Sequence, residues 1–252
     1  PEFLREGHAW HDALHPSRIV VGPDSPAARE WVGLMRDAVR VPDVPVIVTG
    51  DREAEAVKLM ANTLLAARVA LFNELDTLAV RHRLAAGDVL RGVCLDPRIG
   101  DHYNKPSFGF GGPCLPRDAT QLAQAQEASS LVLLSSLGVS NEARAAFIVR
   151  EILQRRPGVV GIYRLGMKEE SANLVESASL RVLRGLKAHG LQVIAFEPSI
   201  DAPVFEECPL VNDLAAFKAQ ADLIVANRVT QELEDVQAKL YTRDQSTLPG
   251  PS

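Results

Sequence analysis

Two textures of apolar residues alternate along the 252-residue chain. Short runs rich in β-branched residues, RIVVG (18–22), VPVIVTG (44–50), GVVGIYRL (158–165), LQVIAFEP (191–198) and ADLIVAN (221–227), have the length and composition of buried strands. Between them, apolar residues recur at helical spacing. Ser25 predicts a cap for an amphipathic helix through Val39, with Trp31, Val32, Leu34 and Met35 on its apolar side. A much longer helix is predicted from Asp51, with Glu53 and Glu55 near its start, to beyond Val80, with no Gly or Pro to stop it. Val57, Ala61, Leu64, Leu65, Phe72 and Leu75 set its period, and Ala66, Ala67, Val69, Ala70 and Leu71 make it apolar nearly all round. Such a helix is expected to be buried along much of its length, as a domain connector or a subunit interface. Further helices are predicted at 84–94, 117–126, 129–137, 141–155, 171–188 (with Gly190 as its stop) and 213–220.

This order predicts an α/β fold in three blocks. Residues 1–50 read as one βαβ unit, which cannot cover both faces of its own sheet and is expected to be the remnant of an N-terminal Rossmann-like sheet. Residues 51–156 read as a central long-helix domain, and 157–252 as a C-terminal Rossmann-like domain with a parallel sheet. The turn after its first strand reads RLGMKE (164–169), not G-x-G-x-x-G, so a dinucleotide is not expected there in the usual way. Lys168 could still meet a nucleotide phosphate.

Composition narrows the class without identifying the chemistry. A chain 46% hydrophobic and 23% charged is long enough for one large domain or two small ones. A net charge of −5 gives no basis for a nucleic-acid or membrane-surface partner. Cys94, Cys114 and Cys208 are an odd set without paired spacing, which predicts free thiols and a reducing, cytoplasmic setting. No apolar run reaches the roughly 18 residues of a membrane span, and no signal-peptide pattern opens the chain. The start at Pro1, without a methionine, suggests a processed or truncated product.

Four segments could carry chemistry. In SFGFGGPCLPRD (107–118), Gly109, Gly111 and Gly112 permit positive φ or close approach to a ligand. Cys114 follows on a Pro-flanked turn, and a helix beginning near Pro116 would set its thiol against helix-end amides and Arg117, favouring thiolate. A buried structural cysteine fits the same spacing, and spacing alone does not decide between them. Lys58 and Asn62, one turn apart, break an otherwise apolar helix face and need partners, although a snorkelling Lys58 satisfies the pattern equally. His8, His11 and His15 in HAWHDALH could in principle hold a metal, but no cysteine accompanies them, and a surface or subunit-contact role is preferred. PEFLREG (1–7) reads only as a loop at a sheet end.

Taken together, PEFLREG, PSRIVVG, EAEAVKLMANTLLAARVALFNELD, DPRIGDHYNKPSFGFGGPCLPRDATQL and ANRVTQELEDVQAKLYTRD resemble the UDP-glucose/GDP-mannose dehydrogenase family in family order, and within it the bacterial UDP-glucose 6-dehydrogenases of the streptococcal kind. The resemblance implies NAD-dependent, four-electron oxidation of UDP-glucose to UDP-glucuronate through a cysteine thiohemiacetal and thioester. It places the nucleophile on Cys114, oxyanion stabilisation on Lys58 and Asn62, ordering of water and lysine on Asp118, and a general base on Glu2. Phe3, Leu4 and Arg5 would line the sugar pocket, and Glu6 would face the nicotinamide. Tyr103, Asn104, Lys105, Pro106, Ser107 and Gly111 match a loop that wraps the UDP-sugar. Arg98 matches an arginine that reaches the substrate of the partner subunit. Arg117 stands where a lysine contacts NAD, and Lys168 matches a substrate-contacting lysine. A homodimer through the long helix is expected, and no metal.

Two departures accompany the match. The pattern K-x-x-[ST]-D-x-x-R reads KEESANLV (168–175): Ser171 fits, Ala172 replaces the acid and Val175 the arginine, which should weaken NAD binding. The glycine-rich first βαβ of the family is not found, residues 1–50 resembling only the last segment of its NAD domain with a short connection between RIVVG and VPVIV. Two other readings therefore stay open: a non-catalytic UDP-sugar-binding or partner-binding paralogue, and a GDP-mannose or UDP-N-acetylhexosamine dehydrogenase.

Overall fold

The computed structural model describes residues 1–5, 7–124, 131–166 and 174–244. The chain divides into two compact units, Pro1–Leu64 and Leu65–Ser252, and the division falls inside one continuous helix.

The first unit contains α1 (Ala9–Leu14), β1 (Ile19–Val21), α2 (Pro26–Ala38) and β2 (Val46–Val48). β1 and β2 pair in parallel, Ile19 opposite Val46 and Val21 opposite Val48, so the βαβ reading holds. Ser25 caps α2, its Oγ accepting the Ala28 amide at 3.1 Å, and Pro26 occupies the first helical position, where its missing N–H costs nothing. Trp31 and Leu34 on α2, and Ile47 and Val48 on β2, remain exposed. A two-stranded sheet with one helix has no second layer to cover them.

The helix that crosses the division is α3 (Asp51–Arg81), 31 residues long. It is less buried than its composition predicts. Met60, Leu64, Leu71 and Leu78 are 52%, 68%, 57% and 51% exposed, because among the described residues no other element lies over that face. The three leucines recur every seven residues, the spacing of a helix seam.

The second unit continues with α4 (Ala86–Cys94), α5 (Leu115–Gln124), α6 (Val132–Gln154), β3 (Val159–Tyr163), α7 (Ala178–Ala188), β4 (Gln192–Phe196), β5 (Val204–Phe205), β6 (Cys208–Pro209), α8 (Leu214–Gln220), β7 (Leu223–Ala226), a 3-10 segment (Gln231–Lys239) and β8 (Leu240–Tyr241). Its sheet runs β4-β3-β7-β8, every pair parallel. One face packs Val160, Ile162, Val193 and Val225 against Ile148 and Ile152 of α6 and Val182, Leu183 and Leu186 of α7. The other packs Ile194, Phe196 and Ile224 against Phe217 of α8 and Leu233. Gly161 permits the closeness of α8, since a Cβ there would stand 2.8 Å from the Phe217 ring and from Ala221. Asp213 caps α8 by accepting the Ala216 amide at 2.7 Å, and Gly190 closes α7 at φ +77°.

Two expected helix bounds need correction. The helices expected at 129–137 and 141–155 are, within the described residues, one helix, α6. Gly138 is followed by Asn141 and Arg144, whose side chains bond inward, and the tertiary contacts outweigh the glycine's weak propensity. α7 begins at Ala178 rather than 171: the stretch 174–177 is not helical, and the Ser177 hydroxyl donates to the Leu165 carbonyl. The β5–β6 hairpin and β8 are two-residue pairings too short to leave a period in the sequence. By length and composition α6 is also the one helix among the described residues able to cross a membrane. Its buried Asn141 and Arg144 are bonded within the fold, as in a core helix.

A buried ion pair ties α3 to α6. Arg144 Nη2 donates to Asp76 Oδ2 at 2.7 Å, with side chains 2% and 0% exposed, and Arg243 Nε donates to the same oxygen at 3.0 Å. Arg144 also reaches the carbonyls of Ser107 (2.8 Å) and Asn73 (3.1 Å) and the Thr77 hydroxyl (2.7 Å). Burial presses the Arg144 guanidinium below its ordinary pKa, and Asp76 opposes that shift. Asp76→Ala is expected to leave Arg144 uncompensated and destabilise the protein by about 3–5 kcal/mol, read from denaturant unfolding. A loss below about 1 kcal/mol would show that the pair is dispensable.

Candidate active site

In the first unit, Lys58 and Asn62 stand one turn apart on α3. Lys58 is partnered: its ammonium donates to the Glu2 carbonyl and lies 5.9 Å from the Phe3 ring centroid. The Arg18 guanidinium sits over the same ring at 3.8 Å. The structure thus brings Glu2, Phe3 and Lys58 together, through the Glu2 backbone and not its carboxylate. Leu4 is exposed. Arg5 is held by Asp12, side chain to carboxylate at 2.7 Å and backbone amide to the other oxygen at 2.8 Å, and these bonds hold the Asp12 carboxyl far below its usual range. Of the three histidines, His8 precedes α1, and His11 and His15 stack at 4.3 Å. Among the described residues no cluster of three or more His, Cys, Asp or Glu could hold a metal. Glu6 lies outside the described residues.

In the second unit, the glycine-rich loop threads through the interior before surfacing at Cys114. Residues 106–110 are buried, and polar side chains from four directions take up their backbone groups. Arg228 donates to the Pro106 carbonyl at 2.8 Å. Asn73 accepts the Ser107 amide at 2.8 Å, and Asn227 accepts that of Phe108 at 2.8 Å. Asn141 accepts the Phe110 amide at 2.9 Å and donates to the Phe110 carbonyl at 2.8 Å. Gly109 has φ +148°, and a Cβ there would meet Asn141 Oδ1 at 2.6 Å, so glycine is required twice over. Gly112 turns the chain at φ +83°, while Gly111 keeps ordinary backbone angles.

Cys114 is exposed, and its carbonyl accepts the Asp118 amide at 2.9 Å. It therefore occupies the capping position of α5, with Pro116 in the first turn, and the buried-cysteine reading fails for this residue. Asp118 is buried, and its Oδ1 accepts Arg117 Nε at 2.9 Å. That bond, with a smaller contribution from Cys114, holds the Arg117 guanidinium above its ordinary pKa. Beside this turn opens a cleft of about 1080 Å³ between α5, α6 and the start of α7, lined by Phe110, Pro113, Arg117 and Val175 among others. Val175 is 59% exposed there. Arg181, six residues on, supplies a cation to the same cleft, with Glu176 at 2.5 Å and Glu142 at 3.6 Å.

The segment before the loop is arranged by Arg68, which donates to the carbonyls of Ile99 (2.6 Å), Gly100 (2.9 Å) and His102. Tyr103 is exposed at φ +52°, Lys105 is exposed, and Asn104 Nδ2 contacts Cys94 Sγ at 3.2 Å. Arg98 folds back on Asp96 at 2.6 Å, holding that carboxyl below its usual range. Lys168, Ser171 and Ala172 lie outside the described residues. Arg68, Asn73, Asn141, Arg144, Arg181, Asn227 and Arg228 were not singled out from sequence. Polar residues inside otherwise apolar helical and strand patterns were the available signal.

Residues 52–143 match the central-domain model of the UDP-glucose/GDP-mannose dehydrogenase family. The chain is 42% identical over 250 residues to a UDP-glucose 6-dehydrogenase of Streptococcus pneumoniae, covering 97% of this chain and 64% of that protein. It is 38% identical over 246 residues to a UDP-glucose 6-dehydrogenase of Campylobacter jejuni, covering 97% of this chain and 63% of the other. A solved UDP-glucose dehydrogenase from Pyrobaculum islandicum is similar at TM-score 0.85 and 29% identity, over 97% of this chain and 59% of its own. The chain thus resembles this family while spanning under two thirds of these relatives' length.

The three thiols are expected to separate by exposure. Iodoacetamide should modify Cys114 first in the folded protein. Cys208, fully buried with its thiol pushed up to about 11 by burial, should react only after unfolding. Half-buried Cys94 should fall between them. Peptide mass spectrometry along the time course reads the order, and Cys208 labelling as fast as Cys114 in the native state would contradict the assignment.

Proposed function

We propose that this chain carries the thiol-bearing part of an NAD-dependent nucleotide-sugar dehydrogenase that converts UDP-glucose to UDP-glucuronate. The observation that carries the reading is the exposed Cys114 thiol at the amino-terminal cap of α5, delivered there by a glycine loop whose preceding residues are clamped. In this reading residues 1–50 are the last segment of a dinucleotide-binding domain, 51–156 the central domain, and 157–252 the UDP-sugar-binding domain of a cytoplasmic protein.

The steps assigned to these residues are the covalent ones. The Cys114 thiolate adds to the C6 aldehyde of the sugar, forming a C–S bond while the carbonyl electron pair moves to oxygen. Lys58 and Asn62 are assigned the stabilisation of that oxyanion, on the resemblance alone. At the thioester stage water attacks, the C–S bond breaks, and the thiol leaves as carboxylate forms. Glu2 is assigned to accept the water's proton, and Asp118 to order the site. Phe3, Leu4, Arg5, Tyr103, Asn104, Lys105, Gly111 and Lys168 are assigned to the substrate, and Arg98 to the substrate of the partner subunit. Pro106 and Ser107, buried in this chain, keep their assignment to the loop that wraps the substrate. Oxidation itself belongs to NAD. Glu6 and Arg117 keep their assignment toward it, but neither described parallel sheet offers the glycine fingerprint that seats a pyrophosphate, so no step is routed through it here.

The long helix is assigned to a homodimer. Leu64, Leu71 and Leu78 form an exposed apolar stripe at heptad spacing, which a second copy of the same helix would cover. A second reading, a non-catalytic UDP-sugar-binding relative, is favoured by Val175 at the cleft in place of the expected arginine.

Calorimetry of this chain with UDP-glucose is expected to give binding heat, and bound UDP-glucose should slow alkylation of Cys114. Heat without protection favours the non-catalytic reading, and no heat with either UDP-glucose or UDP removes both. These 252 residues alone are expected to produce no NADH from UDP-glucose and NAD. Leu71→Glu should convert a dimer to a monomer by light scattering with the circular dichroism spectrum retained. A wild-type chain that is monomeric at high concentration would refute the helix-mediated dimer.

A further inference from the structure

In doubly wound sheets, the amides just after the first strand usually receive a nucleotide phosphate, and an acid at the end of the second strand takes the ribose. The corresponding places in the larger sheet here are Leu165 and Gly166, after β3, and Glu197, after β4. Glu197 does not face outward to a ribose. Its Oε2 accepts the amides of Leu165 at 2.8 Å and Gly166 at 3.1 Å. Its Oε1 accepts the Ser199 hydroxyl at 2.7 Å and the Ser199 amide at 3.3 Å. The Glu197 amide donates to Asn212 Oδ1 at 3.1 Å, which fixes the backbone from which the carboxylate turns back. The residue is 4% exposed. Arg164, at φ +59°, holds its guanidinium carbon 5.6 Å from the Tyr163 ring centroid and 5.9 Å from that of Phe196.

We propose that Glu197 is a built-in substitute for the phosphate, closing the β3 turn of this sheet to the pyrophosphate of a dinucleotide. The two described amides of this turn, those of Leu165 and Gly166, already donate to a carboxylate. An incoming phosphate would have to displace a buried anion bonded at both oxygens, or share its seat at close like-charge distance. The missing glycine fingerprint is therefore only half of the specificity. Among the described residues the seat is also filled, so a nucleotide bound by this unit must have its phosphates held by groups other than the Leu165 and Gly166 amides. The assignment does not depend on the proposed reaction.

Glu197→Ala empties the seat. It is expected to lower the thermal midpoint of the chain, and inorganic phosphate should restore about 2–4 °C saturably, as a bound ligand does in a protein of this size. Glu197→Gln, which retains an acceptor oxygen, should be milder and show no saturable response, and the unaltered chain none. A phosphate response equal in the unaltered chain and Glu197→Ala, or none in a folded Glu197→Ala, would overturn the proposal. If Glu197→Ala does not fold, the unaltered chain still decides. The amide resonances of Leu165 and Gly166 should stay fixed on titration with NAD and with inorganic phosphate, and movement of either pair on saturation would sink it.

Discussion

The constraint on which the rest of the second unit depends is the buried charge of Arg144. A guanidinium taken from water must be neutralised and its five donors used, or the helix carrying it cannot sit where it does. Asp76 supplies the charge, and Thr77 and the carbonyls of Asn73 and Ser107 take remaining donors. One side chain thereby fixes α6 against α3 and both against the loop. The loop could not otherwise cross the interior, since residues 106–110 make no ladder of their own and each buried amide needs a partner. Asn73, Asn141 and Asn227 meet that need from three separate elements. The placement of Cys114 is the downstream result: a clamped backbone up to Phe110, a turn at Gly112, and then the cap of α5.

The same reasoning separates two kinds of cation. Arg144 is locked, because removing its partner would strand a buried charge. Arg5, Arg98 and Arg117 are also paired, with Asp12, Asp96 and Asp118, but their side chains are 61%, 87% and 65% exposed. Solvent screens all three arginines, so a ligand phosphate or carboxylate can compete for them, most readily for Arg98, whose partner Asp96 is itself 30% exposed, and least for Arg117, whose partner Asp118 is buried. Present pairing is thus no argument against a binding role for these three.

What the sequence made legible was local. Ser25 caps the helix its position predicted, the stretch expected to be helical at 213–220 is helical with Asp213 as its cap, Gly190 ends α7, and the β-branched runs are strands. Cys114 does lie at a helix start, because Pro116 and the acids and amides around it are local signals too. What was not legible depended on partners distant in sequence. The helices expected at 129–137 and 141–155 join into one because Asn141 and Arg144 bond across to residues 73–110. The stretch 174–177 looked helical, yet Ser177 is drawn to the Leu165 carbonyl. Hydrophobic count made α3 look buried all round, but composition cannot say which face a neighbour covers.

Glu197 shows why an absent motif is weaker information than a filled site. Sequence comparison shows only that RLGMKE is not a glycine fingerprint, which leaves open a degenerate seat that binds weakly. The structure adds an occupant. A carboxylate at the strand end is directed at the Leu165 and Gly166 amides of the preceding turn, and with that internal anion in place glycine's close approach to a pyrophosphate has nothing to serve. A parallel sheet can then be kept for its packing, with Val160, Ile162 and Val193 buried against α6 and α7, while the end that would otherwise hold a dinucleotide is sealed by its own second strand.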